Sequence, residues 1–577
     1  MGVLPMDNEQ AIDPVVLALT GQLPSIIILA AVLAYLISLL LLWLYRRAVL
    51  RFMNRQSSGA MKSSSVASSP PASEPLPPLE LVTISANTDS IPKNNPALSQ
   101  LITRRQWQAA AVYGTAGAVF VLLMTFVWLT SSGFEFRFFP SLMIFWIMAW
   151  PIVLTVNFIT ASTRRILLVS TGIYFAVYFL LSLIVLIRNP EMPAHQILSM
   201  WLSFNLMPTV LLLLFLNRQI RAIGPMVLVF MIIGLTGSVV ASTAFSQNEV
   251  ALRTLIEMTS FIGLGDHTFV SVLVAGFAFF ALFGWLLLMW IRSSYESKKL
   301  SDQAILLDSV WIIFGISHVA SSLAFENIVW AWSVFVIFLA YKAAVLIGFR
   351  IVHKSPIDQH ANIRLLLLRV FKLGKRSEHV FDGITKHWRY AGSVQLIAGP
   401  DLATTTIEPH EFLEFLNRKL TRLFIQNQSD FDQRLNNMDT RPDFDGRFRI
   451  NDFFCYENTW EMVLSRLVQQ SDVILMDLRS FSPERQGCIR ELSELVHRVL
   501  IERVVLLVDE TTDFFFLEQT IRQCWSTMPA SSPNAIGTAK VLRLFRLDSR
   551  QTIPVSQLIS ELCLSAMHLS DSTSKKS

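Results

Sequence analysis

Nine apolar runs, separated by loops of which every second one is basic, constrain this chain more than any other feature. The first runs from about Ser25 to Tyr45, and the others lie near 107–130, 138–159, 166–187, 197–216, 224–245, 268–291, 305–325 and 328–348. Each is roughly 20 residues long, the length a helix needs to cross the hydrocarbon core of a bilayer. Arg46-Arg47 (with Arg51 and Arg55), Arg104-Arg105, Arg164-Arg165, Arg218 with Arg221, Lys298-Lys299, and Arg350 with Lys354 fall in alternate loops. The intervening loops, SSGFEFR, RNPEMPAH and SQNEVALRTLIEMTSFIGLGD, carry few or balanced charges. By the positive-inside rule this pattern places the N-terminus outside and the C-terminus in the cytoplasm. The charges of the first run follow its apolar core rather than precede it, so it reads as a retained span and not as a signal peptide.

Composition supports the same class. The 577 residues are 52% hydrophobic and 16% charged, with mean hydropathy +0.47, whereas soluble domains carry about 25% charged residues. The partner implied is the lipid bilayer. The net charge of +5 is spread over membrane-flanking segments, which argues against nucleic-acid binding. Cys455, Cys488, Cys524 and Cys563 all lie towards the C-terminus with no CxxC pair, which suits a reducing compartment and offers neither a disulfide framework nor a zinc ribbon. No metal site is expected.

Five regions follow: an N-terminal transmembrane anchor (1–55), a linker (56–100), an eight-span membrane domain (101–356), a cytosolic domain (357–570) and a short tail (571–577). The linker, with SSSVASSPPASEPLPPLE at its centre, shows no helical or strand period and is expected to be disordered. Within the spans, Lys342 lies about two turns before Arg350 and is expected to snorkel to the interface. His318, in FGISHVASSLAF, is nearer mid-span; it is either a titrating group or a histidine bonded to a neighbouring helix. Asp308 and Glu326 fall near opposite ends of one span. Pro151 and Pro208 are expected to kink their helices. The spans on either side of Glu326 form a tight hairpin.

From about Ile357 strands alternate with helices. The expected strands are Arg364–Val370, Val394–Ala398, Phe448–Phe453, Val473–Asp477, Val504–Asp509 and Val541–Phe545. The expected helices are His379–Tyr390, Pro409–Ile425, Thr459–Gln470, Gly487–Leu500, Asp513–Cys524 and Val555–Met567. Alternation implies parallel pairing and a doubly wound α/β sheet, whose ligands bind at the carboxyl ends of the strands. Three strand ends carry groups of chemical interest there. Gly399-Pro400-Asp401 follows VQLIA, Asp477 ends VILMD before Arg479 and Ser480, and Asp509 ends VVLLVD before Asp513, a possible helix N-cap. These are the candidate ligand-binding residues, although acids at strand ends also cap helices and GPD is a common turn. No GxGxxG and no P-loop is present. Asp443-Phe444-Asp445-Gly446-Arg447 reads as a turn rather than a calcium loop.

The segment TWEMVLSRLVQQSDVILMDLRSFSPERQGCIREL resembles the second half of a TIR domain, with a helix led by Trp460, a buried strand, and a polar loop entering the Cys488-Ile489-Arg490-Glu491-Leu492 helix. The opening LLLLRVF, the helix ending near Trp388, and VQLIAGPD are similar to bacterial membrane proteins carrying a TIR-like module. The resemblance covers the C-terminal third and implies a flavodoxin-like fold and a bacterial inner (plasma) membrane. In TIR domains that hydrolyse NAD, the glutamate in the position of Glu491 is catalytic, holding the ribose hydroxyls and stabilising an oxocarbenium-like state. The arginine-aspartate and Phe-Trp motifs of that family are not found here.

The expectation is therefore a membrane signalling or scaffold protein whose cytosolic domain binds a nucleotide-type ligand such as NAD, or a partner domain. Homo-oligomers or other membrane and cytosolic proteins are the partners it implies. An NAD-cleaving effector using Glu491 is one alternative, and a transporter or pore with a cytosolic regulatory domain is the other.

Overall fold

The computed structural model describes residues 14–53, 76–85, 97–132, 136–161, 164–190, 193–215, 220, 223–261, 263, 267–323, 328–353, 362–369, 375–398, 409–416, 420–456, 458–536, 539–547 and 554–574. The chain divides into two units, Met1–Trp43 with Ala110–Ile351, and Leu44–Ala109 with Val352–Ser577.

The first unit is helical. It takes most of α1 (Pro14–Met53) and α2 (Ala97–Ser131), followed by α3 (Phe138–Met148), α4 (Trp150–Thr160), α5 (Arg164–Arg188), α6 (Ala194–Phe215), α7 (Gly224–Gln247), α8 (Glu249–Phe261), α9 (Thr268–Glu296), α10 (Asp302–Leu323) and α11 (Ile328–Val352). Among the described residues seven helices are long and apolar enough to cross a membrane, and eight if the bent pair α3 and α4 is one span. The bend, 41°, falls at Ala149 with a proline at the start of α4. There Pro151 can sit without a backbone hydrogen bond, as the sequence led us to expect. Pro208 lies inside a helix that runs unbroken from Ala194 to Phe215. The ninth span expected from the sequence, on α10 with Asp308 and His318, is not among these candidate spans. Glu326 and the hairpin turn around it lie outside the described residues.

The segment read as a loop after Gln247 contains α8, whose Glu249 and Arg253 pair at 3.0 Å one turn apart. Its apolar residues recur at helical spacing, but short charged intervals hid the period. Between α7 and α9 the packing is close. A side chain at Gly276 would collide with Ala241 on α7 and with the Gly237 carbonyl oxygen, which lies 2.8 Å from where its first carbon would sit.

The second unit holds a sheet of eight parallel strands: β1 (Leu79–Ser85), β2 (Leu365–Arg369), β3 (Val394–Ala398), β4 (Phe424–Ile425), β5 (Ile450–Cys455), β6 (Val473–Asp477), β7 (Val504–Val508) and β8 (Lys540–Arg546). Their order across the sheet is β1-β8-β7-β6-β2-β3-β5-β4, and every neighbouring pair is parallel. The helices are α12 (Lys375–Trp388), α13 (Pro409–Leu416), α14 (Gln428–Asn436), α15 (Trp460–Gln470), α16 (Gln486–Arg498), α17 (Phe514–Ser526) and α18 (Val555–Ser574). β6 and β7 are buried at every residue, as continuous apolar strands covered on both faces must be. Val463, Leu464, Leu467 and Val468 of α15 and Cys488, Leu492, Leu495 and Val496 of α16 share one core with Ile474, Met476, Val504 and Leu506.

Three readings of this region need correction. The 56–100 linker is not wholly without structure, because its Leu79–Ser85 forms β1 on β8, with Leu79 opposite Lys540 and Ser85 opposite Arg546. A Pro- and Ser-rich surround masked a seven-residue run that a sheet edge can order. The expected helix Pro409–Ile425 ends at Leu416 and finishes as a short turn and β4, since a short apolar run alone does not separate helix from strand. Finally, the sheet is wider than the flavodoxin-like one that the resemblance implied: β3-β2-β6-β7-β8 keep the order 2-1-3-4-5, and β5, β4 and β1 extend it at the edges.

Candidate functional site

In a doubly wound sheet the crevice for ligands opens where successive crossovers depart in opposite directions. Here β2 leads to β3 on one side and β6 leads to β7 on the other, so the switch point lies between β2 and β6. Arg369 and Asp477 are register partners at its carboxyl end. The stretch Ser471–Leu492 therefore supplies one wall of this point.

Asp477 and Arg479 are together, and they hold each other. Arg479 Nε donates to Asp477 Oδ1 at 2.8 Å, Nη2 donates to Oδ2 at 2.7 Å, and the Arg479 amide also reaches Oδ1 at 3.2 Å. Both residues are buried. Burial works against the guanidinium charge, but the hydrogen bonds and charge of Asp477, with the charge of Asp509 behind them, outweigh it and raise the Arg479 pKa. A buried charge pair is tolerated when the fork geometry is satisfied in this way.

Asp509 organises the neighbouring turn. Its Oδ1 accepts from the Thr511 amide at 2.9 Å and from the Thr511 hydroxyl. The Thr512 hydroxyl meanwhile donates to the Leu478 carbonyl at 3.1 Å and accepts from the Asp509 amide at 3.1 Å. Ser480 stands at φ +58°, a left-handed conformation costly for a residue with a Cβ. Its amide donates to Thr511 Oγ1 at 3.0 Å. Asp513 caps α17 by accepting from the Phe516 amide. The β6 and β7 loops are thus stitched together, with Glu510 and Thr511 exposed and Ser480 half-buried above a buried ionic layer.

Glu491 is buried on the face of α16 that also carries Cys488, Leu492, Leu495 and Val496, and is directed at the core rather than at solvent. Gly399, Pro400 and Asp401 lie outside the described residues. Asp443 is held by Arg449 Nη2 at 2.8 Å, Gly446 turns at φ +80°, and the Gly446 amide returns to the Asp443 carbonyl, so this segment is a turn. The four cysteines are free and buried.

In the helical unit Lys342, expected at the interface, is paired with a carboxylate. Its ammonium meets Asp308 Oδ2 at 2.6 Å, with the two side chains 22% and 13% exposed. Sequence reading noted both residues but did not pair them, since they stand on different helices. His318 is buried with its ring 5.2 Å from that of Phe204, and its Nδ1 has no hydrogen-bond partner among the described residues. It stands ten residues beyond Asp308 on α10, roughly 15 Å along the axis, so the two do not share a site.

No family model, no curated protein and no solved structure matches the chain.

Proposed function

We propose that the chain is a multi-pass membrane signalling or scaffold protein whose doubly wound domain, on the cytoplasmic side, binds a nucleotide-type ligand at the carboxyl edge between β2 and β6. The observation that carries this reading is the coincidence of the switch point with the ordered Asp477–Arg479–Asp509 layer. Sheets of this order place their ligands there. The groups left at this edge, the exposed Glu510 and the half-buried Ser480 hydroxyl, suit the hydroxyls of a ribose better than a phosphate. Arg479 is committed to Asp477, so its part is to fix the loop rather than to clamp an anion.

The test uses the full-length chain in detergent micelles, titrated calorimetrically with NAD-type dinucleotides and cyclic nucleotides. Binding of at least one of them, weakened more than tenfold by Glu510→Ala or Glu510→Gln with no change in melting temperature, is the expected result. Silence with every nucleotide overturns the ligand reading, and so does binding that both substitutions leave intact. Capture of a soluble domain by the same edge would show a partner-docking site in its place.

A further inference from the structure

The Asp308–Lys342 pair stands among buried polar atoms that lack a hydrogen-bond partner among the described residues. Among the described residues Asp308 Oδ1, Trp311 Nε1 and the Tyr341 hydroxyl are buried without a hydrogen-bond partner, and both Trp311 and Tyr341 are 0% exposed. Trp311 follows Asp308 by one turn on α10, Tyr341 adjoins Lys342 on α11, and the two rings touch with centroids 5.4 Å apart. The Asp308 charge acts on the Tyr341 hydroxyl. Phe120 of α2 closes the cluster, 4.9 Å from Trp311 and 6.4 Å from Tyr341. α2 comes this close because Gly117 leaves room for the Trp311 ring.

An indole N–H, a phenol and half a carboxylate left unsatisfied around one ion pair is an expensive arrangement, since each orphan forfeits the bonds it made to water. A buried water needs two to four polar partners, and the residues here carry groups of both kinds: the indole N–H and the phenol as donors, the open carboxylate oxygen and the phenol as acceptors. Ionisable groups within spans are rare and mark ion or proton pathways. We propose that Asp308, Lys342, Trp311 and Tyr341 form a hydrated proton-binding site in the helical unit.

The proton is delivered by hydronium, which leaves as water, and the new O–H bond forms on Asp308 Oδ1, the oxygen that Lys342 leaves open. Oδ2 keeps its contact with the ammonium, but the carboxyl is now neutral and the Lys342 charge loses its counter-ion. No cation of another kind suits the site, because the ammonium already holds that place. Asp308 lies six residues, roughly 9 Å, from the start of α10, so entry is from the end bearing Lys298-Lys299. The surrounding helices carry few competing groups. α4 has no titratable side chain, α6 has only His195 at its start, α2 has Tyr113 and no charge beyond Arg105, α10 itself adds Asp302 and His318, and α11 adds Arg350.

Infrared difference spectroscopy on the full-length protein in liposomes tests this. Between neutral and acidic buffer the wild type should gain a protonated-carboxyl stretch that shifts in heavy water and is absent from Asp308→Asn. In Lys342→Met, where the counter-charge is gone, the band should already be present at neutral pH. Tyr341→Phe keeps the ring and the fold, and should move the band frequency by removing one hydrogen-bond partner; it serves if Asp308→Asn fails to fold. Difference spectra identical in the wild type and Asp308→Asn overturn the proposal, as does a band insensitive to both heavy water and Tyr341→Phe. Nucleotide binding by the other unit is independent of either result.

Discussion

Asn534 carries three hydrogen bonds on a side chain with no exposed surface. Its amide donates to the Val496 and Val499 carbonyls at 2.8 and 2.6 Å, and its carbonyl oxygen accepts from the Ile501 amide at 3.0 Å. It thereby closes the turn from α16 into β7, at the amino end of the strand whose other end carries Asp509. Asn534→Ala leaves these buried backbone groups without that partner and should cost about 3 kcal/mol, read as a lowered denaturation midpoint of the full chain in detergent. Nothing in SSPNAIG distinguishes this asparagine from any loop asparagine. The strand-end groups Asp477, Arg479 and Asp509 could be picked out because apolar runs end on them. Their mutual engagement could not, because a hydrogen bond has no sequence period. The Asp308–Lys342 pair was illegible for the same reason.

At the scale of elements, periodicity served where burial is continuous or strictly one-sided. β6 and β7 are apolar throughout, and α15 and α16 bury one clean stripe, so their sites in the chain followed from pattern alone. It failed at β1 and β4, whose composition suits a strand but whose runs are too short, or too embedded in turn-forming residues, to stand out. The apolar helices posed a different difficulty. Their pattern places them in a membrane but does not say which packs on which; that depends on small residues. α7 and α9 meet through Gly234, Gly237 and Gly276, against Phe277, Phe280 and Ala241. Small residues of this kind let helices approach closely in lipid. Gly276→Leu should force this pair apart and lower the melting temperature of the protein in micelles, whereas Leu at Gly172, which has open space around it, should leave it unchanged. An equal loss at both positions would show that the close approach is not what the glycines provide.

At the scale of the whole molecule, the sheet-bearing unit draws on two distant parts of the chain. Residues 44–109 and 352–577 belong to it together. Tyr45, Val49 and Met53 at the end of α1 share a core with Phe424, Phe454 and Tyr456. Arg105 Nη1 donates to the Tyr390 carbonyl at 2.8 Å, and Trp525 Nε1 donates to the Pro77 carbonyl at 3.0 Å. A fragment beginning at residue 352 should therefore self-associate during gel filtration, through the edge of β8 that β1 otherwise covers. A monodisperse fragment would show that β1 is dispensable.

The same strand sets a timetable. Leu79 leaves the ribosome long before its partner Lys540, so β1 has no edge to join while every helix between them is being made. Its apolar residues must wait in water for that interval. The Ser- and Pro-rich stretches on either side of it read as protection for that interval, since prolines and polar tracts discourage a waiting strand from pairing with the wrong edge.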